Sequence, residues 1–369
     1  SDDEFSWYEN DGNAGFTEHL VSQEGDGPRS ITAADIDGDG DWDHYLSEMG
    51  SNPLLDNRNG IFTNVGGAAG VDAATVKALS GFDALATSWG AAFADFDNDL
   101  HEDLYCVNGL MPPAIVPDEH LPNMLFMSEG DGTFERLQDV ENGAEDYSCG
   151  RGLAIADVNV DGALDMFVTN FVTPSAGRPD DIHRLFLNTK QYGSAATNNF
   201  LQVRLHGRES NLEGIGSRLS LDVANQTLKR QVIADPLYMC SSTRLAHFGL
   251  GSYQTTDRVS IDWPSTVHQE LVGLPSNYMY QVVEPTVKMV SHDQPFFEKS
   301  QLFFRATVEN LTDEATDAEV FWMLHFGENG PLIAYFSVPI ELEANQTRDA
   351  RIEIPIASPS VLDAIDELV

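Results

Sequence analysis

Ile31-Thr-Ala-Ala-Asp-Ile-Asp-Gly-Asp-Gly-Asp-Trp-Asp43 places acids at Asp35, Asp37, Asp39, Asp41 and Asp43 straight after a short apolar run. Tyr45-Leu46 then resumes the apolar character. The same pattern returns as Ala91-Ala-Phe-Ala-Asp-Phe-Asp-Asn-Asp-Leu-His-Glu-Asp103 before Leu104-Tyr-Cys-Val107. It returns again as Leu153-Ala-Ile-Ala-Asp-Val-Asn-Val-Asp-Gly-Ala-Leu-Asp165 before Met166-Phe-Val168. Asp35, Asp95 and Asp157 open the three acidic segments at intervals of about 60 residues. Apolar run, tight polar loop, apolar run reads as strand, loop, strand. A fixed recurrence of that unit marks a repeat architecture.

A second motif alternates with the first. Trp7-Tyr-Glu-Asn-Asp-Gly12 precedes Phe16, Leu54-Leu-Asp-Asn-Arg-Asn-Gly60 precedes Phe62, and Leu125-Phe-Met-Ser-Glu-Gly-Asp-Gly132 precedes Phe134. Arg184-Leu-Phe-Leu-Asn188 opens a fourth copy without the glycine turn. Asn-Gly and Asp-Gly between apolar runs are hairpin signals, because the turn needs positive φ. Each unit therefore holds four strands, and four-stranded units in series are propeller blades. Counting motifs over residues 1–196 gives between three and four blades, fewer than a closed ring usually needs; strands from residues 197–285 close it, or another subunit does, or the chain is a fragment, and the first is the favoured expectation.

The acidic loops carry the chemistry. Asp35, Asp37, Asp39 and Asp43 occupy loop positions one, three, five and nine, with Gly40 at position six and Asp41 offering a backbone carbonyl at position seven. Hard oxygen ligands at this spacing, with glycine for the sharp turn, suit Ca2+. The first six positions resemble an EF-hand loop, but the acid at position nine and the flanking strands do not. Without a cation, carboxylates this close repel by several kcal/mol at intermediate dielectric. The second loop keeps Asp95, Asp97, Asp99 and Asp103, with His101 at the carbonyl position and Leu100 where glycine is expected. The third keeps Asp157, Asn159, Asp161 and Asp165, with Gly162 in place and Ala163 as carbonyl donor. About three structural Ca2+ sites follow. The competing reading is a set of solvated Asp-rich turns, and three loops in register weigh against it.

The second half adds a different signature: Gly214-Ile-Gly-Ser-Arg218, Tyr238, Arg244-Leu-Ala-His-Phe-Gly-Leu-Gly251 and Val259-Ser-Ile-Asp-Trp-Pro264. The loops resemble FG-GAP/VCBS repeats, the calcium-binding blades of integrin-α-type β-propellers. The later segment resembles the ASPIC/UnbV domain, and the combination resembles the cartilage acidic protein family and its bacterial relatives over about residues 5–285. The resemblance implies a secreted, calcium-binding protein. Two departures stand out: fewer repeats than the family usually carries, and Cys240 where it usually has Ser or Gln.

The expected fold is all-β, in three parts. Residues 1–196 are propeller repeats. Residues 197–285 are the ASPIC/UnbV β domain, with period-two runs at 200–205, 218–223 and 258–263. Residues 286–369 resemble a small immunoglobulin-like β-sandwich, with Phe304/Ala306/Val308, Phe336/Val338/Ile340 and Ile352/Ile354/Ile356 each spaced by two. An incomplete sandwich leaves open edges, which suits docking or strand exchange. The tail from Val361 to Val369 reads as a helix or a donated strand. His247 stands alone in an apolar stretch and reads as a structural histidine; Arg244 and Asp262 are either a pair or two surface charges.

Of 369 residues, 59 are Asp or Glu and 20 are Lys or Arg, for a net charge of −39. Such a chain is repelled by nucleic acid and anionic lipid. No apolar run reaches membrane-spanning length, so no membrane insertion is expected. Three cysteines, Cys106, Cys149 and Cys240, allow one disulfide or three free thiols. Sequons at Asn225, Asn310 and Asn345 matter only in a eukaryotic secretory setting. The sequence starts at Ser1 without Met, as in a mature chain after signal removal or in a fragment. No Gly-x-Ser-x-Gly, His-Glu-x-x-His, P-loop or GxGxxG is present, so the chain is read as a non-enzyme with no catalytic residues. The expected function is an extracellular or periplasmic binding or adhesion module for a protein or glycan. The alternatives are a homo-oligomeric filament built through the C-terminal sandwich, or a carbohydrate-acting enzyme.

Overall fold

The structure, a computed structural model, describes residues 5–10, 15–22, 27–72, 75–77, 83–110, 121–137, 144–171, 182–191, 195–234, 237–285, 287–292, 296–298, 301–310, 316–325, 332–343 and 346–355. β1 (Phe5–Asn10) and β2 (Phe16–Ser22) pair antiparallel. β3 (Ser30–Ala34), β4 (Asp43–Ser47), β5 (Leu54–Arg58) and β6 (Ile61–Asn64) form a four-stranded meander. Asn59 and Gly60 turn its last hairpin with φ of 56° and 84°, as a two-residue turn with both central residues left-handed requires. A single helical turn, α1 (Gly66–Ala69), follows. β7 (Thr75–Lys77) and β8 (Asp83–Leu85) make a short pair.

The next sheet has the order β13-β12-β10-β9, from β9 (Ser88–Ala94), β10 (Asp103–Asn108), β12 (Met124–Ser128) and β13 (Phe134–Leu137). β11 (Leu121–Pro122) pairs with β14 (Tyr147–Ser148). β15 (Gly150–Ala156), β16 (Asp165–Asn170) and β17 (Arg184–Phe186) form a sheet with three strands among the described residues, where the glycine turn is missing from the sequence.

β18 (Asn199–His206), β19 (Arg218–Val223), β20 (Gln226–Gln231), β21 (Ala246–Gly251), β22 (Arg258–Asp262), β23 (His268–Val272) and β24 (Tyr278–Val283) supply two sheets. Their orders are β21-β18-β24 and β20-β19-β22-β23. The sheets are set in a propeller-like arrangement of five blades, where motifs over residues 1–196 alone count three to four. The fold is all-β.

Alternation explains the continuous apolar strand β10. Every residue of β10 is buried, because the strand lies between two cores. Leu104 and Cys106 join Tyr45, Leu54, Met124, Phe126 and Phe134 on one side. Tyr105 and Val107 join Leu125, Leu153, Ile155, Met166 and Val168 on the other. Period two thus sends successive side chains of one strand into successive inter-blade cores. Each such side chain contributes about 1.5–3 kcal/mol through burial. In β19 only Leu219, Leu221 and Val223 are buried, and the intervening residues are not, as befits a sheet with one covered face. All three cysteines are free thiols. Among the described residues no helix is long and apolar enough to cross a membrane.

The chain divides into two compact units. The first comprises Ser1–His206, Glu213–Pro264 and His268–Val282. The second comprises Gly207–Leu212, Ser265–Val267 and Val283–Val369. In the second, β25 (Val287–His292), β26 (Phe296–Glu298) and β27 (Gln301–Asn310) lie in the order β25-β27-β26. β28 (Thr316–His325) pairs with β29 (Leu332–Leu342), and β30 (Thr347–Pro355) pairs with β27. The tail beyond residue 355, Asn345 and Ile356 lie outside the described residues.

Glu284 ties the second unit together. Its Oε2 accepts N–H bonds from Arg208 (2.7 Å) and Ser210 (2.8 Å), and its Oε1 accepts from the Ser210 hydroxyl (2.9 Å) and the Ser265 hydroxyl. Burial alone would raise its pKa, but the Ser265 bond and the two N–H groups outweigh this and hold it below the usual range. A lowered folded pKa means stability that is fully present above the unfolded value, about 4.3, and lost as pH falls through the folded value. Glu284→Gln should therefore cost about 1–3 kcal/mol at pH 7, with the deficit shrinking below about pH 4. Urea titrations at the two pH values check this.

Candidate metal centre

The three loops adopt one geometry. Positions four and six are left-handed in each: Gly38 and Gly40 (φ 74° and 97°), Asn98 and Leu100 (61° and 88°), Val160 and Gly162 (58° and 84°). Glycine at position six meets this at no steric cost, whereas Leu100 holds the same conformation under strain. The position-one acid receives the returning backbone. Asp35 Oδ1 accepts from Gly40 N–H (3.3 Å), Asp95 from Asp99 and Leu100 N–H (3.0 Å each), and Asp157 from Asp161 (3.1 Å) and Gly162 (2.8 Å). The position-five acid accepts the N–H of the residue two further on: Asp39 from Asp41, Asp99 from His101 and Asp161 from Ala163, each at 2.9 Å. These bonds curl the chain so that alternate side chains converge.

Convergence is clearest in the first two loops. Asp35, Asp37 and Asp39 each offer a carboxylate oxygen, all within 4.8 Å of one another, and so do Asp95, Asp97 and Asp99. In the third loop Asp157 and Asn159 meet at the N–H of Asp161, and Asn159 Nδ2 donates to Asp161 Oδ2 (3.1 Å). The second loop is the most buried. Asp95 is 1% exposed and Asp97 8%, and Asp97 Oδ1 is buried without a hydrogen-bond partner. Burial, and then the charge of Asp99, pushes Asp97 up to about 6. Burial followed by Asp99, Glu102 and Asp97 holds Asp95 well above the carboxylate range. Burial also raises Asp35.

The acid at position nine is used differently. Asp43 Oδ2 accepts from Ile36 N–H (2.9 Å) and Oδ1 from Asn57 N–H (2.8 Å). Asp103 does the same with Phe96 and Ser128 (2.9 Å each), and Asp165 with Val158 (2.9 Å) and Asn188 (2.8 Å). Each carboxylate closes its own loop and pins it to the blade's third strand or the residues just beyond. Burial pushes Asp43 up to about 7 and Asp103 well above the ordinary range. Asp41 Oδ2 also accepts the turn N–H of Asn59 (2.6 Å), the His101 ring lies against Gly130, and Ala163 is fully buried.

The later segment and Lys190 meet the loops with cations, and the later segment also with a strand. Lys229 Nζ donates to the Gly40 carbonyl, Arg230 pairs with Glu102, and Lys190 donates to the Asp161 carbonyl. β21 lies on the second loop. Gly251 N–H donates to Asn98 O (2.7 Å), and a Cβ on Gly249 would overlap Asp95 Oδ2 and lie 2.6 Å from Asn98 Cα. His247 has both ring nitrogens engaged: Nε2 donates to Asn98 Oδ1 (2.7 Å), and Nδ1 accepts from Gln202 Nε2 (3.3 Å). Burial, then Arg230 and Lys190, lowers His247 to about 3, so the ring is neutral. Phe248 and Leu250 are fully buried. Arg244 pairs with Glu213, and Asp262 with His268 (2.7 Å), so the two do not pair with each other. The roles of Asn98, Gln202, Gly249 and the two lysines are not legible in the sequence, because their partners lie far along the chain.

Residues 207–288 match the family model described as ASPIC and UnbV. Cartilage acidic protein 1 of Xenopus tropicalis is 34% identical over 104 residues, 28% of this chain and 13% of that protein. The Homo sapiens protein of the same name is 33% identical over 91 residues, 25% of this chain and 11% of that protein. The Mus musculus protein is 28% identical over 118 residues, 32% and 16% respectively. The chain thus aligns with a small part, 11–16%, of the length of these relatives. It carries an ASPIC/UnbV domain at residues 207–288 and is homologous, over a quarter to a third of its length, to cartilage acidic protein 1.

Proposed function

We propose that the chain is the calcium-stabilised propeller module of a secreted protein, with FG-GAP/VCBS-type loops, that binds a protein or glycan at an extracellular surface. The observation that carries the metal is the pair of carboxylate clusters. Two oxygens at about 2.4 Å from one Ca2+ are at most about 4.8 Å apart, and the oxygens of Asp35, Asp37 and Asp39 and of Asp95, Asp97 and Asp99 lie within that span. The buried, unpartnered Asp97 Oδ1 and the raised carboxyls of the second loop favour a cation beside them. Asp43, Asp103 and Asp165 would hold the loops in shape, and Asp41, His101 and Ala163 would turn their carbonyls inward. The third loop, with Asp157, Asn159 and Asp161, is the same site with one charge fewer.

The ions are structural in this reading, and the module acts by binding, not catalysis. The name of the homologues supports an extracellular setting, and the charge of −39 is best tolerated where salt screens it. Melting curves with calcium and with chelator test the assignment. A ligand held only by the folded state stabilises it by mass action. Chelation should lower the melting temperature by several degrees, and identical curves would remove the metal.

One observation favours a second reading. β28 and β29 form a two-stranded ribbon whose outer edges have no strand partner among the described residues. An immunoglobulin-like sandwich built on β25–β30 would expose edges that accept a strand from another copy, giving a filament. Light scattering at rising concentration separates the readings: a constant monomer mass excludes the filament.

A further inference from the structure

Asn98 is a loop residue at none of the ligand positions, yet it is 1% exposed. Its Nδ2 donates across to the carbonyl of Gly162 in the third loop (3.0 Å), and its Oδ1 accepts from His247 Nε2 (2.7 Å). His247 Nδ1 accepts one hydrogen of Gln202 Nε2 (3.3 Å), and the other goes to Asp157 Oδ2 (2.9 Å), the position-one acid of the third loop. Gln202 is 1% exposed and His247 6%. The Phe200 ring stacks on His247 at an interplanar angle of 8°, and a Cβ on Gly162 would overlap that ring. Asn188 makes a second link: its N–H donates to Asp165 Oδ1 (2.8 Å) and its Nδ2 to Phe96 O (2.6 Å). The first loop is outside this network. Among the described residues no hydrogen bond joins residues 35–43 to residues 95–103 or 157–165.

We propose that strand β21 couples cation binding at the second and third loops through the buried relay Asn98–His247–Gln202–Asp157, so that an ion in one loop raises the affinity of the other. The inference rests on the calcium reading above. An ion in the second loop fixes Asp97 and Asp99 and therefore Asn98 between them. Asn98 then holds the Gly162 carbonyl directly and Asp157 through His247 and Gln202. Ordering done by the first ion need not be repeated for the second, which is positive coupling without any new contact. Asn98, His247 and Gln202 are buried, so a broken link would leave a polar group without a partner. His247, Gln202 and Asn98 are positioning residues here, since none touches the ion.

Calcium titration calorimetry on chelator-stripped chain tests this. Asp37→Ala silences the first loop, and Asp37→Ala/Asp161→Ala leaves the second loop alone. Losing the third loop should weaken the second about tenfold, and Asp99→Ala should weaken the third by the same factor, because coupling is reciprocal. Asp161→Ala should leave first-loop affinity unchanged. Gln202→Met keeps the volume but removes both donors, and Asn98→Gly keeps the left-handed backbone but removes the side chain. Either should reduce the coupling to within about twofold of none while calcium still binds. If second-loop affinity is the same with and without the third loop, the coupling is wrong and the calcium reading stands. If the parent chain gives no binding heat, both fall. If the relay variants do not fold, the reciprocal comparison of Asp161→Ala with Asp99→Ala still decides.

Discussion

Gly249→Val should be among the most damaging single substitutions in the chain, costing about 3 kcal/mol or more. A Cβ there would overlap Asp95 Oδ2 and sit 2.6 Å and 2.7 Å from the Cα and carbonyl carbon of Asn98. A flexible side chain could swing aside, but Asn98 is backbone at that point, and Asp95 is held by the N–H groups of Asp99 and Leu100. The strand must move off the loop or the loop must open. Either breaks the Gly251 to Asn98 bond and uncovers Phe248 and Leu250, which are fully buried. The urea midpoint should fall steeply. Gly67→Ala is the control: nothing lies within 4 Å of its Cβ, and the residue sits in α1, where alanine is preferred by about 1 kcal/mol. A Gly249→Val chain as stable as the parent would mean that β21 does not press on the second loop.

Asp103→Asn should cost about 3 kcal/mol even in calcium-free buffer, because the position-nine carboxylate has work to do without an ion. Asp103 is 1% exposed, and each of its oxygens accepts a backbone N–H. An amide keeps one acceptor and turns its NH2 toward the other N–H, which leaves buried donors facing each other. Asp37 is the contrast. It is an exposed acid at position three, a ligand in the proposed site, and its replacement should cost little until calcium is added, because its bonds to Asp39 N–H and Arg58 lie at the surface. Denaturant titrations of both variants with and without calcium separate the roles. If Asp103→Asn matched the parent in chelator and lost stability only in calcium, position nine would be a ligand and nothing more.

These two expectations mark where the sequence was readable and where it was not. The spacing of acids after apolar runs located the loops, and Asn59-Gly60 located a hairpin that turns as its residues demand. Local patterns suffice for such features, because strand, loop and turn are each set within a dozen residues. Position nine was legible as an acid but not as a clamp. Its second donor is Asn57, Ser128 or Asn188, 14 to 25 residues away, and no periodicity points to it. The motif His247-Phe-Gly-Leu-Gly251 was recognisable, yet its purpose was hidden. Gly249 is required by Asp95, and His247 by Asn98, 149 positions earlier. Spacing along the chain carries no information about contacts of that range. Lys229 and Lys190, which bring positive charge to the first and third loops in so acidic a chain, were invisible for the same reason.

The central claim is that the three acidic loops each hold one calcium ion. The most direct test is the calcium content of the folded chain, counted by elemental analysis after dialysis against buffered calcium. One ion for each of the loops at 35–43, 95–103 and 157–165 is expected, with Asp37→Ala losing one ion and keeping the rest. A folded chain that retains no calcium would contradict the account.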